Sequence, residues 1–235
     1  MINPITQKLV LNNRLLTCSQ FVTKGGVSCD IGTDHAYLAS YLVKEGISER
    51  VFACDIAKGP LEAAAATVEK LGLGDKVTLI LSDGLDNVPD DGVTDVIIAG
   101  MGGELIEDIV LRAEWLKRGV NLVLQPQTKA AELRTSLCKN GFEIIAEKAC
   151  RDRRFIYTVM NVIYTGKVKE LNEVEAIIGK LDLCDPTAKD YIKTVAQRLE
   201  ASASGIARSK DEAQREEAKE LLSLAKKLYT LTEEK

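Results

Sequence analysis

Short apolar runs alternate with helical segments from residue 27 to about residue 163, and this alternation constrains the fold more than any other feature. Five runs, 27–31, 51–56, 77–81, 95–99 and 121–125, are apolar on both faces, as buried parallel strands are. Helices are predicted between them, near 34–46, 60–71, 102–117 and 129–140. Strands that alternate with helices form right-handed crossovers, so the pattern predicts a doubly wound α/β sheet.

Two further apolar runs, 142–149 and 155–164, are separated only by the sequence CRDRR. With no room for a helix between them, they predict an antiparallel hairpin that completes a seven-stranded sheet. An amphipathic helix that begins near Leu9 and ends at Gly25-Gly26 is expected before the first strand.

The pattern changes after Tyr164, where Gly166 ends the last strand and the remaining sequence is helical. Two apolar stripes at steps of three and four residues flank the segment 205–211, and Asp185-Pro186 is typical of a helix start. We therefore expect an α-helical coiled-coil hairpin. The predicted domains are residues 1–165, the sheet domain, and residues 166–235, the helical domain.

The net charge of −4 argues against sequence-independent binding to long nucleic acid, which depends on neutralising phosphates. Residues 112–160, however, hold ten Lys and Arg against five Asp and Glu, a local excess of +5. No leading apolar segment and no run of about 20 apolar residues occurs, so a cytoplasmic protein is expected, without membrane contact. Six scattered cysteines, no C-x-x-C and one histidine favour core thiols and no metal site.

The first strand leads into the turn Asp30-Ile31-Gly32-Thr33-Asp34, at the edge where doubly wound sheets bind ligands. Gly32 allows a ligand to approach the backbone, and the two aspartates offer acceptors to a positively charged amino-acid group. Asp34 stands where the dinucleotide pattern has its second glycine. Because two carboxylates would repel a pyrophosphate, the turn favours a zwitterionic sulfonium ligand. The alternative is an ordinary turn after a strand, since such turns can carry the same residues.

Two further strand ends carry an aspartate. Asp55 follows Gly32 by a little over 20 residues, the distance expected for a carboxylate that binds ribose hydroxyls, or it is an ordinary exposed strand end. The pair Asp83-Gly84 follows the third strand and is suited to adenine, although Asp-Gly is also a common turn pair.

The fourth and fifth strands end in residues suited to a flat acceptor base. The segment Ala99-Gly100-Met101-Gly102-Gly103 leaves a cleft with few side chains, or forms a glycine-rich turn with Met101 as core filler. The amides of Gln125 and Gln127 either recognise a base edge or cap the helix that follows. We favour a positioning role for His35, the single histidine, over proton transfer.

A predicted polyanion surface lies around the turn of the last hairpin. Its residues are Arg151, Arg153 and Arg154, with Lys129, Arg134 and Lys139 beside them and Arg14 from the leading helix. Arginine favours bidentate contacts with phosphate. A solvated loop and helix face is the alternative interpretation.

These segments resemble a known family. DIGTDHAYL (30–38), CDIAKGP (54–60), SDGL (82–85), IIAGMGG (97–103), LQPQ (124–127) and GFEI (141–144) are similar to the bacterial tRNA (adenine22-N1)-methyltransferases, Rossmann-like class I enzymes with a C-terminal coiled coil. The resemblance runs from about residue 9 to the tail, which matches only as a helical pattern. One departure is Ala39, where members often carry proline.

The resemblance implies S-adenosylmethionine as cofactor and tRNA as partner. It implies that Asp30, Gly32, Asp34 and His35 hold the methionine part, Asp55 and Ile56 the ribose, Asp83 and Gly84 the adenine, and Ala99, Gly100 and Met101 the methyl cleft. Thr33 is a further candidate for cofactor binding.

We therefore expect methyl transfer to N1 of an adenine in tRNA. Catalysis would rest on alignment, with Asp34, the Gly100 carbonyl and Gln125 as catalytic candidates, and Arg14, Gln127, Arg151, Arg153 and Arg154 as RNA-binding candidates. A methyltransferase with another RNA base or a small molecule as acceptor, and a non-catalytic nucleotide-binding or RNA-binding scaffold, are the rival hypotheses. A nicotinamide dehydrogenase is disfavoured by Asp34. We expect a monomer, with a dimer through the helical hairpin as the alternative.

Overall fold

The computed structural model describes residues 9–90 and 92–233. The described strands are β1 (Gly26–Ile31), β2 (Ser48–Asp55), β3 (Val77–Leu81), β4 (Val93–Gly102), β5 (Asn121–Thr128), β6 (Phe142–Asp152) and β7 (Phe155–Tyr164). The helices are α1 (Asn13–Ser19), α2 (Tyr37–Lys44), α3 (Lys58–Leu71), α4 (Gly103–Arg112), α5 (Ala130–Lys139), α6 (Glu173–Ile178), α7 (Pro186–Ile206) and α8 (Glu212–Glu233), with a short 3-10 helix at Glu114–Arg118.

The seven strands form one sheet in the order β3-β2-β1-β4-β5-β7-β6. Strands β1 to β5 pair in parallel, whereas β7 pairs antiparallel with both β5 and β6. The predicted doubly wound sheet and its closing hairpin are therefore confirmed. The direction of the strand order reverses between β1 and β4, and ligands of such sheets bind at the carboxyl ends of the strands at this point.

Both faces of the sheet are buried, as the apolar runs predicted. In β2, Phe52 and Cys54 belong to one hydrophobic cluster, whereas Val51 and Ala53 belong to the cluster on the opposite face. Alternate residues of a strand point to opposite faces, so a strand that is apolar at every position needs helices on both sides.

Two helices differ from the sequence prediction. Helix α1 ends at Ser19, not at the glycine pair, because the backbone N–H of Thr23 donates to the carboxylate of Asp95 and draws the chain into irregular turns. Helix α2 begins at Tyr37, since Asp34 and Ala36 have φ values of 54° and 54°, which no right-handed helix accommodates.

The third predicted helix, 102–117, is divided in two. Helix α4 ends at Arg112, because Ala113 leaves the helical region at φ −93° and ψ 84°. The 3-10 helix of residues 114–118 follows, and Gly119 ends it at φ 93°. This break lets Leu116 bury its side chain in the core.

The predicted helical hairpin is present. Asp185 caps α7 by accepting a hydrogen bond from the N–H of Thr187 at 2.8 Å, and Pro186 stands at the first helical position. Helix α8 returns along α7, and Ile192, Ala196, Ala225 and Leu228 share one buried cluster. No described helix is both long and apolar enough to cross a membrane.

Candidate functional site

The carboxyl end of β1 buries a carboxyl group. Asp30 is 4% exposed, and its Oδ2 accepts a hydrogen bond of 2.7 Å from the hydroxyl of Thr33. Burial raises the pKa of Asp30 to about 6, although Thr33, the backbone N–H of Ala39 and the nearby charge of Arg14 oppose that rise. A buried acid with so few donors is suited to a bound cation.

The turn after β1 joins it to β2. Gly32 adopts φ 72°, and the N–H groups of Gly32 and Thr33 both donate to the carbonyl of Cys54 at 2.9 Å. The N–H of Asp34 lies 3.3 Å from Oδ2 of Asp55. Asp34 itself is exposed. The predicted cofactor residues of the two strand ends are therefore brought together.

Asp55 ends β2 half-buried, and its Oδ1 accepts a hydrogen bond of 3.0 Å from the N–H of Ala57. A carboxylate has about four lone-pair sites, so acceptor capacity remains for two hydroxyl groups. Ile56, next along the chain, is 68% exposed, which is unusual for a large apolar side chain and leaves an uncovered apolar surface beside the carboxylate.

The residues after β3 lie at the same edge, because the N–H of Ser82 donates to the carbonyl of Asp55 at 2.9 Å. The carboxylate of Asp83 pairs with Arg112 of α4 at 3.4 Å. Gly84 has φ 54° and packs against Ile109, where a Cβ would meet the isoleucine at 2.9 Å. This aspartate thus already has a partner, a fact that the strand pattern does not reveal.

The ends of β1 and β4 carry glycines that pack closely against side chains, and we call the region of Gly32, Gly100, Met101 and Arg14 the cleft. Gly100 has φ 87°, and a Cβ there would lie 2.9 Å from Nη1 of Arg14. A Cβ at Gly32 would overlap the terminal methyl of Met101. A side chain at either glycine would displace Arg14 or Met101, so both positions require a residue without a Cβ.

The side chain of Asn13 donates to the carbonyl of Arg151 in the basic hairpin, and its neighbour Arg14 is half-buried beside this cleft. Nη1 of Arg14 donates to Oε1 of Gln125 at 2.7 Å. Cys18, fully buried, is four residues further along α1, so the two residues share the helix face that points into the protein. This spacing is the signal from which the position of Arg14 was predictable.

The two glutamines of β5 differ. Gln125 is fully buried, and its Nε2 donates to the carbonyl of Pro126 at 2.7 Å, whereas Gln127 is exposed. Neither amide caps α5, since Lys129 occupies the N-cap position and no side chain accepts a hydrogen bond there. The capping alternative is therefore wrong.

His35 stands in the turn before α2. Its ring stacks on Tyr37 with centroids 5.4 Å apart, and Nε2 lies 3.6 Å from Oδ1 of Asp34. Its side chain is 47% exposed. The histidine can therefore restrain the Asp34 side chain, as expected of a positioning residue.

The basic hairpin turn lies at the same edge of the sheet as the cleft, because β7 begins beside the end of β5. Arg153 has φ 53° in the turn, and Arg154 lies over the ring of Phe155 at 4.9 Å. Arg151 pairs with Asp190 of α7 at 2.8 Å. All three arginines are exposed.

Arg134 is not part of this surface, and its assignment there is wrong. It is fully buried and pairs with Glu147, while its Nη1 donates to the carbonyl of Ala176 at 2.8 Å. Burial alone would lower the pKa of Arg134, but the carboxylate of Glu147 raises it above its usual value. The pair joins the sheet to α6, because Glu147 also accepts from the N–H of Lys180 at 3.1 Å.

Chemistry other than that of the cleft finds little support in the described part of the chain. Five cysteines are buried, and burial raises the pKa of Cys54 to about 12, so that its thiol stays protonated. Residues 9–90 and 92–233 contain no group of three or more His, Cys, Asp or Glu side chains that could hold a metal ion.

Comparison with known proteins agrees with this geometry. Residues 11–160 match the family model described as a methyltransferase domain. The chain therefore belongs to the methyltransferase family that this domain defines.

Within that family, the resemblance drawn from the motifs is confirmed. The tRNA (adenine(22)-N(1))-methyltransferase of Bacillus subtilis is 34% identical over 154 residues, which are 65% of this chain and 65% of that enzyme. The match therefore spans less than two thirds of the length of this curated relative.

Solved structures share the fold over nearly the whole chain. The crystal structure of the Bacillus subtilis m1A22 tRNA methyltransferase is 26% identical, with a TM-score of 0.83 over 94% of this chain and 100% of that one. A Streptococcus pneumoniae protein in complex with S-adenosyl-L-methionine is 28% identical, with a TM-score of 0.80 over 92% of this chain and 98% of that one.

Proposed function

We propose that this protein transfers a methyl group from S-adenosylmethionine to N1 of adenine 22 in tRNA. The observation that carries the proposal is the meeting of Asp30, Gly32 and Asp55 at the switch point of the sheet, directly beside the cleft of Arg14 and Gly100. The names of the related enzymes supply the acceptor.

The residues at this edge fit the cofactor. The buried carboxyl of Asp30 is suited to the ammonium group of the methionine part, and the free lone pairs of Asp55 to the ribose hydroxyls. The exposed apolar surface of Ile56 is suited to the adenine ring. When bound, S-adenosylmethionine supplies a methyl group on a positively charged sulfur.

Asp83 and Gly84 remain the candidates for the polar edge of the cofactor's adenine. Asp83 would accept from the exocyclic amine while keeping its ion pair with Arg112, since a carboxylate has two oxygens. Thr33 and His35 act indirectly, Thr33 through its hydrogen bond to Asp30 and His35 through its contact with Asp34.

The acceptor base needs alignment more than acid–base chemistry. N1 of a neutral adenine carries a lone pair and no proton, so no general base is required, and correct positioning accounts for most of the rate. The methylated base gains a positive charge, which the carboxylate of Asp34 and the carbonyl of Gly100 would stabilise. Ala99 and Met101 would line the cleft.

Arg14 and Gln125 are proposed to act as a unit. Because their hydrogen bond fixes the guanidinium beside Gly100, Arg14 can hold an anionic group of the substrate next to the reacting base. N1 is engaged in pairing within a duplex, so the target must be unpaired or flipped out to enter the cleft.

The RNA is proposed to lie across the turn of the β6–β7 hairpin and the helical hairpin. Arg151, Arg153 and Arg154 would contact phosphates, and Gln127 would face the RNA from the end of β5. In this proposal residues 1–165 bind the cofactor, residues 166–235 grip the tRNA, and the protein acts as a monomer in the cytoplasm without a metal ion.

The direct test is mass spectrometry of nucleosides from unmodified bacterial tRNA after reaction with the full-length protein, followed by mapping of the modified position. We expect N1-methyladenosine at position 22 only. Arg153→Glu/Arg154→Glu should raise the KM for tRNA about tenfold or more and leave cofactor affinity unchanged. Methylation of another base would contradict the proposed acceptor, and absence of transfer would contradict the enzyme.

A further inference from the structure

A groove beside the cleft has no role in the site described so far. It encloses about 420 Å³ between the end of β5, the start of β7 and α7, a volume within the range of small-molecule sites. Its lining includes the aromatic residues Phe155, Tyr157 and Tyr191, together with Gln127 from β5. We call this feature the aromatic groove.

The charge of the aromatic groove is one-sided. Its described lining includes Lys129 and Arg198 and no Asp or Glu, in a chain whose net charge is −4. Lys129 pairs with Glu104, whereas Arg198 forms no ion pair with any described carboxylate. Aromatic rings with cations at the rim are the combination that binds single-stranded nucleic acid.

The two walls of the groove are fixed relative to each other by a contact between the sheet and α7. Arg151 at the end of β6 pairs with Asp190 of α7 at 2.8 Å, directly before Tyr191 in the groove wall. The groove is therefore built into the fold, so a ligand need not form it.

An aromatic surface in the groove is open to solvent. Phe155 is 44% exposed, and Arg154 covers its ring from one side at 4.9 Å. Tyr157 lies 6.1 Å from Phe155 at an angle of 49°, so the two rings leave a wedge and do not stack on each other. A planar group can therefore stack on either ring.

The aromatic groove lies beside the cleft along β5. Pro126 and Gln127, which line it, directly follow Gln125, which bonds to Arg14 in the cleft. Two strand residues span about 7 Å, so the two sites are close neighbours. An RNA that presents its target base to the cleft would pass over the aromatic groove with its next nucleotides.

We propose that the aromatic groove binds an unpaired nucleotide next to the methylated base, by stacking that base on Phe155 or Tyr157 with its phosphate near Arg198. This inference rests on the proposed function. It makes the groove a determinant of which RNA is accepted, because only an RNA that unstacks a neighbouring base together with the target can fill both sites.

The test combines a change in the protein with a change in the RNA. Phe155→Leu removes the ring, and an abasic nucleotide on either side of the target adenine removes the base. We expect each change alone to lower kcat/KM about tenfold, and the pair together to lower it little further, because both delete one contact. Phe155→Trp should retain activity near that of the wild type.

The matched control is Ile145→Ala in β6, since Ile145 is 45% exposed and lies outside the groove. It should leave kcat/KM unchanged, and calorimetric affinity for S-adenosylmethionine should be unchanged in Phe155→Leu. A 2-aminopurine at the neighbouring position should be quenched by wild-type protein and not by Phe155→Leu.

Two results would overturn the proposed nucleotide binding in the groove and leave the proposed function standing. The first is a kcat/KM that neither abasic position changes. The second is a double change whose loss in kcat/KM equals the product of the two single losses. Failure of the wild-type protein to methylate any intact tRNA would instead overturn the proposed function.

Discussion

Two neighbouring parallel strands each bury an aspartate, and their surroundings differ sharply. Asp95, near the start of β4, is fully buried and accepts from the N–H of Thr23, the amide of Asn121 and the hydroxyl of Thr94 at 2.8, 2.6 and 2.6 Å. Among the described residues, the donors to Asp30 at the end of β1 are the hydroxyl of Thr33 and the backbone N–H of Ala39.

The difference separates a structural carboxylate from a functional one. Asp95 accepts hydrogen bonds from three donors, and Asn161 extends this network by donating to Asn121. Asp30 has fewer donors and lies near the charge of Arg14, and burial raises its pKa to about 6. A buried acid that the protein leaves partly unsatisfied marks the place where a ligand completes the hydrogen bonding.

The largest expected effect is the loss of stability when Asp95 is replaced. Asp95→Ala leaves the N–H of Thr23 and the amide of Asn121 without their acceptor, and should lower the free energy of unfolding by about 4 kcal/mol. Urea denaturation measures this loss. A variant as stable as the wild type would remove the contrast between the two aspartates.

The next largest effect is expected on ligand binding when Asp30 is replaced. Asp30→Asn removes the negative charge that would pair with the ammonium of S-adenosylmethionine, and should weaken binding about 100-fold at pH 7.5. Isothermal titration calorimetry measures the affinity. Unchanged affinity would show that the cofactor does not use this carboxyl group.

The same variant should be more stable than the wild type without ligand. Because the pKa of Asp30 is raised from 3.8 to about 6, its contribution to folding is retained at low pH and lost as the pH rises through 6. Between pH 4.5 and 7.5 the stability of Asp30→Asn relative to the wild type should therefore rise by about 2 kcal/mol. Thermal unfolding of both proteins at the two pH values tests this, and a constant difference would contradict it.

The smallest effect is expected at Thr33. Thr33→Val removes the hydroxyl that stabilises the ionised form of Asp30, so the pKa of that carboxyl should rise further. Affinity for S-adenosylmethionine should fall about threefold at pH 6 and hardly at pH 8. An equal loss at both pH values would indicate a steric effect instead.

The cluster of Asp30, Gly32 and Asp55 was predictable from the sequence, because strand ends and the glycine turn are local patterns. Asp30, Gly32 and Asp55 each follow an apolar run, and parallel strands bring their carboxyl ends to one edge. The hydrogen-bond network around Asp95 was not predictable. Thr23, Asp95 and Asn121 are far apart along the chain, and only the pairing of β4 with β5 brings the last two together.

Arg134 shows a second limit of sequence patterns. Its place on a short helix beside lysines is typical of a solvated face, but an irregularity in β6 between Ile144 and Ala146 shifts the alternation of that strand. Glu147 consequently points inward, where it meets the arginine. A bulge of this kind reverses which side chains are buried, and no local pattern of residues signals it.

The central claim is that the under-satisfied carboxyl of Asp30 belongs to the methyl-donor site. The most direct measurement is a crystal structure of the full-length protein with S-adenosylhomocysteine. We expect the ammonium group within hydrogen-bond distance of Asp30 and the ribose hydroxyls within hydrogen-bond distance of Asp55. A ligand bound elsewhere, or bound at this edge with no polar contact to Asp30, would contradict it.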